Sequence, residues 1–245
     1  QAMKGFIRPF DLETAPLVRA GLAQWQNEFF LMVDMHHIIS DGESTTVLEN
    51  EFLTLYGGET LEPMRLQYKD YALWQNRRKE SGELENQENY WLDRFKTPVP
   101  PLDFGHGVDY AAVKDDDKGA RMIFSLNREN TAALEQLASE HDVTMYMLTV
   151  ALISVLLSKI GNTETVVTGT PVAGRGHPDL QAIIGMFVNT LPLLTFPKHA
   201  KSFSGFLHEV KTFSLEAFEN QDYQFDDLVE QLGIKRGSGR KPVFD

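Results

Sequence analysis

"FFLMVDMHHIISDGESTTVLENEFLTLY", residues 29–56, changes its periodicity halfway along. Phe29 to Val33 is an apolar run of strand length, whereas Val47, Leu48, Phe52, Leu55 and Tyr56 recur at helical spacing. His36, His37, Asp41 and Gly42 lie between the two, where a core strand ends and a helix begins. Loops at strand ends are where open sheets place their chemistry. Histidine exchanges a proton near neutral pH and is the usual general base. Neighbours on an extended backbone point to opposite sides, so His36 and His37 cannot share one role. One is expected to face a supporting partner and the other an open cleft. Asp41, four residues on, is placed to pair with a histidine or an arginine, and Gly42 lets the backbone bend.

A lone histidine at a strand end more often satisfies a buried polar group than does chemistry. A His-His-x-x-x-Asp-Gly string behind an apolar strand is far more specific. Adjacent histidines are an awkward pair for one metal. His106, His141, His177, His199 and His208 follow no ligand-like spacing, so no metal site is expected. With no Gly-x-Ser-x-Gly elbow, a serine triad has little support.

Outward from this turn, helices are predicted at about 68–80, with Tyr71 and Trp74, and at about 82–95. The segment 96–119, rich in Pro, Gly and Asp, reads as a linker. Beyond it, "ARMIFSL" (120–126) is expected to be a strand. Asn127 is a good N-cap for the helix that follows, and Thr144 for the next. That next helix, Met145 to Ile160, is the most apolar stretch. It falls short of the ~20 apolar residues of a membrane span and is expected to be fully buried. "TETVVTGTPV" and "FVNTLPLLTF" read as strands, the second with Pro192 hinting at an edge or bulge. Phe203 to Phe218 form an amphipathic helix, and "FDDLVEQLG" a short one ending near Gly233. Strands and helices alternate on both sides of the linker, which argues for an α/β chain in two lobes.

The 245 residues suffice for one large domain or two small ones, and 42% hydrophobic with 24% charged residues is ordinary for a globular protein. A net charge of −12 and a pI near 5.0 disfavour nucleic acid and anionic membrane as partners. Cysteine is absent, which removes disulfides and thiolate chemistry. The N-terminal "QAMKGFIRPF" lacks a signal-peptide pattern, and a cytoplasmic location is expected.

"HHIISDG" resembles the His-His-x-x-x-Asp-Gly motif of the condensation domains of nonribosomal peptide synthetases. Further stretches are similar to that family's motifs in the same order: "RPFDLETAPLVRAGL" (8–22), "YKDYALWQ" (68–75), "IGMFVNTLPL" (184–193), "NQDYQFDDLV" (220–229) and "RGSGRKPVFD" (236–245). Gln224, Asp226 and Gly239 depart from the usual proline, glutamate and serine. Family members begin before "RPFDL" and continue past the last motif, so the chain is expected to be an internal portion of such a domain.

The resemblance implies two chloramphenicol acetyltransferase-like lobes in a V arrangement, each incomplete in this chain: 1–100 and 120–245, joined by an interlobe linker at 101–119. It implies amide formation between a donor aminoacyl or peptidyl thioester and the α-amine of an acceptor aminoacyl thioester. His37 would be the catalytic histidine, with His36, Asp41 and Gly42 supporting it. Asn189 and Thr190 would line the tunnel or make a lobe contact, and Asp222 and Tyr223 would be structural. Tyr71 and Trp74 are expected to pack as helix core. No cofactor is implied in the domain itself. Phosphopantetheine arms arrive on donor and acceptor peptidyl carrier proteins, and an adenylation domain is the expected neighbour. Thr45, where epimerisation domains usually carry tryptophan, and the intact histidines favour condensation over epimerisation or heterocyclisation, with an L-configured donor. The alternatives are a non-catalytic docking module for carrier proteins and a free-standing acyltransferase with a related His-x-x-x-Asp-Gly turn.

Overall fold

The computed structural model describes residues 5–100, 102, 104, 121–234 and 243. The expected interlobe linker at 101–119 and the "RGSGRKPVFD" motif therefore fall almost wholly outside the described residues. The chain divides into two compact units, one of residues 1–82 with 173–188, the other of 83–172 with 189–245. In this division residues 83–100 group with the second unit and 173–188 with the first.

In the first unit, β1 (Val18–Trp25) and β2 (Glu28–Met35) form an antiparallel hairpin in the register Val18↔Met35 to Trp25↔Glu28. Its tight turn is reached through a left-handed backbone at Gln26 (φ 54°). β1 was not legible as a strand in the sequence. Across the hairpin, Arg19 Nε lies 3.3 Å from Asp34 Oδ2, and the guanidinium also covers the Phe10 ring at 3.7 Å. A single 3₁₀ turn, His37–Ile39, leads into α1 (Gly42–Tyr56), and α2 (Tyr68–Glu80) follows. The core of this unit gathers Tyr71, Leu180, Ile183 and Phe187, so residues of the 173–188 segment are structural parts of it.

The second unit holds α3 (Glu85–Arg94), α4 (Arg128–Glu140), α5 (Met145–Ile160), β3 (Val166–Val172), β4 (Asn189–Thr195), α6 (Phe203–Glu219) and α7 (Phe225–Gln231). Side chains close the helix N-termini, at Asn127 and Thr144 where the sequence placed caps and also at Ser202. Asn127 accepts from the Asn130 N–H at 2.8 Å, Thr144 from Met147 at 3.2 Å, and Ser202 from Gly205 at 3.1 Å. β3 and β4 pair antiparallel from Val166↔Thr195 to Val172↔Asn189. Pro192 lies opposite Gly169, which is tolerated because each strand of this described two-stranded sheet has a free edge. Apolar residues of α3, β3, β4 and α7 form one core cluster and those of α4, α5 and α6 another. Trp91 is buried, and its indole N–H donates to the Asn220 carbonyl at 2.8 Å.

Two expectations are corrected. Residues 121–126 form no strand, and Met122, Ile123 and Phe124 are exposed. A strand exists only by pairing, and the described residues offer this segment no partner. α5 is buried on one stripe only, formed by Met147, Leu148, Ala151, Ser154 and Ser158. Leu152, Ile153, Leu156 and Ile160 are exposed. Apolar composition all round did not mean burial all round, because α4 and α6 cover a single face. Among the described residues no single helix is long and apolar enough to cross a membrane. Leu148 is fully buried in the α4–α5–α6 cluster. Leu148→Ala is expected to lower unfolding stability by ~2–5 kcal/mol in a denaturant titration, with a change of about zero marking a site free to collapse.

Candidate functional site

The strand β2 delivers the histidine pair to its end, and the backbone there turns at once. The His36 N–H donates to the Leu17 carbonyl at 3.0 Å, which extends the hairpin by one bond. Its imidazole Nδ1 accepts from the Ile38 N–H at 3.1 Å, which requires that nitrogen to be unprotonated, and its ring meets the edge of Phe10. His36 therefore caps the 3₁₀ turn. His37, inside that turn, is exposed and lines a cavity of about 660 Å³. The two histidines part: one braces the backbone, the other meets open space.

Asp41 sits four residues beyond His37 and is 4% exposed. It caps α1 by accepting from the Ser44 N–H at 2.8 Å and the Ser44 hydroxyl at 2.7 Å. Its carboxylate also accepts from Arg175 Nη2 at 3.0 and 3.3 Å and from the Phe187 N–H at 3.1 Å. Among the described residues, neither histidine hydrogen-bonds to it. Arg175, itself buried, donates through Nη1 to the carbonyls of Leu180 (2.5 Å) and Ile183 (2.7 Å), and its guanidinium lies 4.1 Å from the Phe187 ring centre. Ser44 is fully buried. Its oxygen accepts from Arg175 (3.1 Å) and from the Gly185 N–H (3.0 Å), while its one hydroxyl proton is shared between Asp41 and the Gly185 carbonyl. Burial alone would raise the Asp41 carboxyl. The Ser44 hydroxyl, the N–H groups of Ser44 and Phe187 and the Arg175 guanidinium outweigh it and hold the group below the usual aspartate range.

The segment 173–188 reaches Asp41 because two glycines let it approach. Gly174 has φ +65°, and a Cβ there would strike the Phe187 carbonyl. A Cβ on Gly185 would collide with the Tyr68 ring at its Cδ2. The Tyr68 hydroxyl donates to the Met186 carbonyl at 2.7 Å, while burial first and then the Asp41 charge raise its pKa. Tyr71 packs its ring on Phe187 at 4.6 Å, as a core residue. Trp74, by contrast, is exposed, with the Arg78 guanidinium 4.7 Å from its ring centre, which corrects the expectation that it would be core.

Asn189 and Thr190 belong to the second unit. The Asn189 amide donates to the carbonyls of Gln221 and Tyr223, both at 2.8 Å, and its oxygen accepts from the N–H groups of Thr190 and Phe225. That amide is saturated where it stands. Thr190 is half-buried on β4. Sequence reasoning missed Arg175, Ser44 and Gly185. Arg175 sits in "GRGHPDLQAI", whose local signal is its glycines; Gly185 lies inside the family-like "IGMFVNTLPL" stretch but was not singled out there, and neither was Ser44. Among the described residues no group of three His, Asp or Glu side chains could hold a metal ion.

Three outcomes test this network. Asp41→Ala leaves Arg175 buried without its counter-charge and is expected to cost ~3–5 kcal/mol. Because the native Asp41 pKa lies below the unfolded value of about 4, its contribution is present above that pH and is lost as the pH falls through the native value. The acid limb of a stability–pH curve should therefore flatten in Asp41→Ala. Gly185→Ala should destabilise by ~1–3 kcal/mol, and less in a Tyr68→Ala background; equal penalties in both would remove the close approach as the cause.

Comparison with known proteins places this turn in a familiar context. Bacitracin synthase 1 of Bacillus licheniformis is 46% identical over a 247-position alignment that covers 100% of this chain and 5% of that synthase. Gramicidin S synthase 2 of Aneurinibacillus migulanus is 44% identical over 246 residues, 100% of this chain and 6% of that protein. The chain thus spans a small fraction of the length of these curated relatives. The structure of the condensation domain from Monacolin K polyketide synthase MokA superposes with a TM-score of 0.80 at 24% identity, over 96% of this chain and 56% of that one. The family model described as "Condensation domain" matches residues 1–245, and with that match along its whole length the chain belongs to the condensation-domain family.

Proposed function

We propose that the chain serves amide formation in nonribosomal peptide synthesis, with His37 as the catalytic residue. The α-amine of an acceptor aminoacyl thioester attacks the carbonyl of a donor aminoacyl or peptidyl thioester. A C–N bond forms, the C–S bond breaks, the amine gives up a proton and the departing thiolate takes one. A thioester is already activated, so the protein's part is to position the amine, manage that proton and stabilise the developing charge. His37 holds the amine and accepts the proton released by its attack.

The observation that carries this reading is the division of labour at the turn. His37 opens onto the cavity, while Asp41 is consumed by Arg175, Ser44 and the Phe187 N–H. Asp41 therefore holds the turn in shape and does not orient a histidine. His36 and Gly42 support the same bend. Thr190 is a better candidate than Asn189 for lining the tunnel, since the Asn189 amide is already spent. The finer architecture, two chloramphenicol acetyltransferase-like lobes in a V, rests on the resemblance and belongs to this proposal. So do the partners: phosphopantetheine arms on donor and acceptor carrier proteins, an adjacent adenylation domain and a cytoplasmic setting.

The test follows amide formation by mass spectrometry in the full parent polypeptide, with both carrier proteins loaded. His37→Ala is expected to lower the product at least ~10²-fold while remaining folded. A folded parent that binds carriers and yields no amide would establish the docking module instead. Turnover of small acyl thioesters without any carrier protein would favour the free-standing acyltransferase.

A further inference from the structure

The cavity beside His37 is the gap between one face of a strand and one face of a helix. Leu31, Val33 and Met35 alternate along β2 and line one wall; Thr45, Leu48, Glu49 and Phe52, spaced at helical intervals on α1, line the other. The walls are apolar apart from Thr45, near the turn, and the carboxylates of Asp34 and Glu49; the turn itself adds His37, Ser40 and Asp41, whose charge is answered by Arg175. Asp34 is paired with Arg19 across the hairpin, so its charge is answered. Glu49 has no ion-pair or side-chain hydrogen-bond partner among the described residues and is exposed to the cavity. It lies seven residues beyond Gly42 along α1, about 10 Å from the histidine turn at 1.5 Å per residue.

We infer that Glu49 is a specificity-determining residue that selects an aminoacyl group with a long apolar stem and a cationic head, such as lysyl. This inference rests on the proposed condensation reaction. An amine held at His37, or the carbonyl it attacks, is one bond from a substrate Cα. A lysyl side chain reaches about 6 Å from that Cα, and the glutamate side chain covers most of the remaining distance. Its methylenes meet the apolar wall and its ammonium meets Glu49. A neutral side chain of equal length gains the wall but leaves the carboxylate unanswered. Donor and acceptor groups present this same chemistry, because both Cα atoms flank the bond being made.

The test uses the full parent polypeptide with carrier proteins loaded with lysyl or norleucyl groups, varied separately on the donor and acceptor sides. Norleucine keeps the stem and lacks the ammonium. The product ratio of lysyl to norleucyl is expected to reach at least about five-fold in one arm, and that arm identifies which group Glu49 reads. Glu49→Gln should bring the ratio to about one, Glu49→Lys should invert it, and added salt should weaken it in the parent. Amide formation with a ratio near one in both arms, or a ratio unchanged in a folded Glu49→Gln variant, overturns the inference and leaves the condensation reading standing. No amide from any pair in a folded parent overturns both.

Discussion

The first unit is organised around the ion pair of Asp41 with Arg175. The two residues are 134 positions apart, and both are buried. A buried ion pair is weak evidence for stability, because removing two charges from water costs several kcal/mol per ion. Here the cost is offset by a nearly complete set of hydrogen bonds. The carboxylate has the Ser44 hydroxyl, two backbone N–H groups and the guanidinium. The guanidinium in turn has two carbonyls, Ser44 and the face of Phe187. What such a network supplies best is uniqueness. No other carboxylate reaches this arginine among the described residues, so the loop beyond β2 has one way to close.

Ser44 shows how tightly local and long-range structure are joined there. The residue that completes the α1 cap also holds both polar groups of the Gly185 backbone, and it has no solvent to replace either. The helix start and the 173–188 segment are therefore one polar unit. Around it the aromatic rings of Tyr68, Tyr71 and Phe187 exclude water, which strengthens each charge-assisted bond inside. The two glycines are what that density demands: where the backbone of the segment presses on Phe187 and on Tyr68, no side chain fits.

A rigid turn has a chemical consequence. His37 rides on a 3₁₀ turn whose entry is capped by the His36 side chain and whose exit is closed by the Ser40 N–H donating to the His37 carbonyl, just before Asp41 caps α1. The ring is exposed, yet the backbone carrying it is held at both ends. Positioning of this kind is what the proposed reaction of an activated thioester would ask of the chain. Among the described residues the aspartate of the motif makes no hydrogen bond to a histidine, because its oxygens are taken by Arg175, the Ser44 hydroxyl and the N–H groups of Ser44 and Phe187.

Most elements and the place of the site were legible in the residues alone. The apolar run Phe29–Val33, helical spacing in Val47–Tyr56 and the caps at Asn127 and Thr144 are local facts, set by side-chain direction and by backbone groups within a few residues. The motif order was legible for the same reason. Long-range packing settled the rest: which partner Asp41 takes, that residues 173–188 belong with the first unit, that 121–126 is unpaired and that α5 buries a single stripe. Each of these depends on contacts between residues far apart in the chain, where pattern along the sequence carries no distance information. An arginine in a glycine-rich stretch reads as a solvated loop residue until the fold brings a buried carboxylate to meet it.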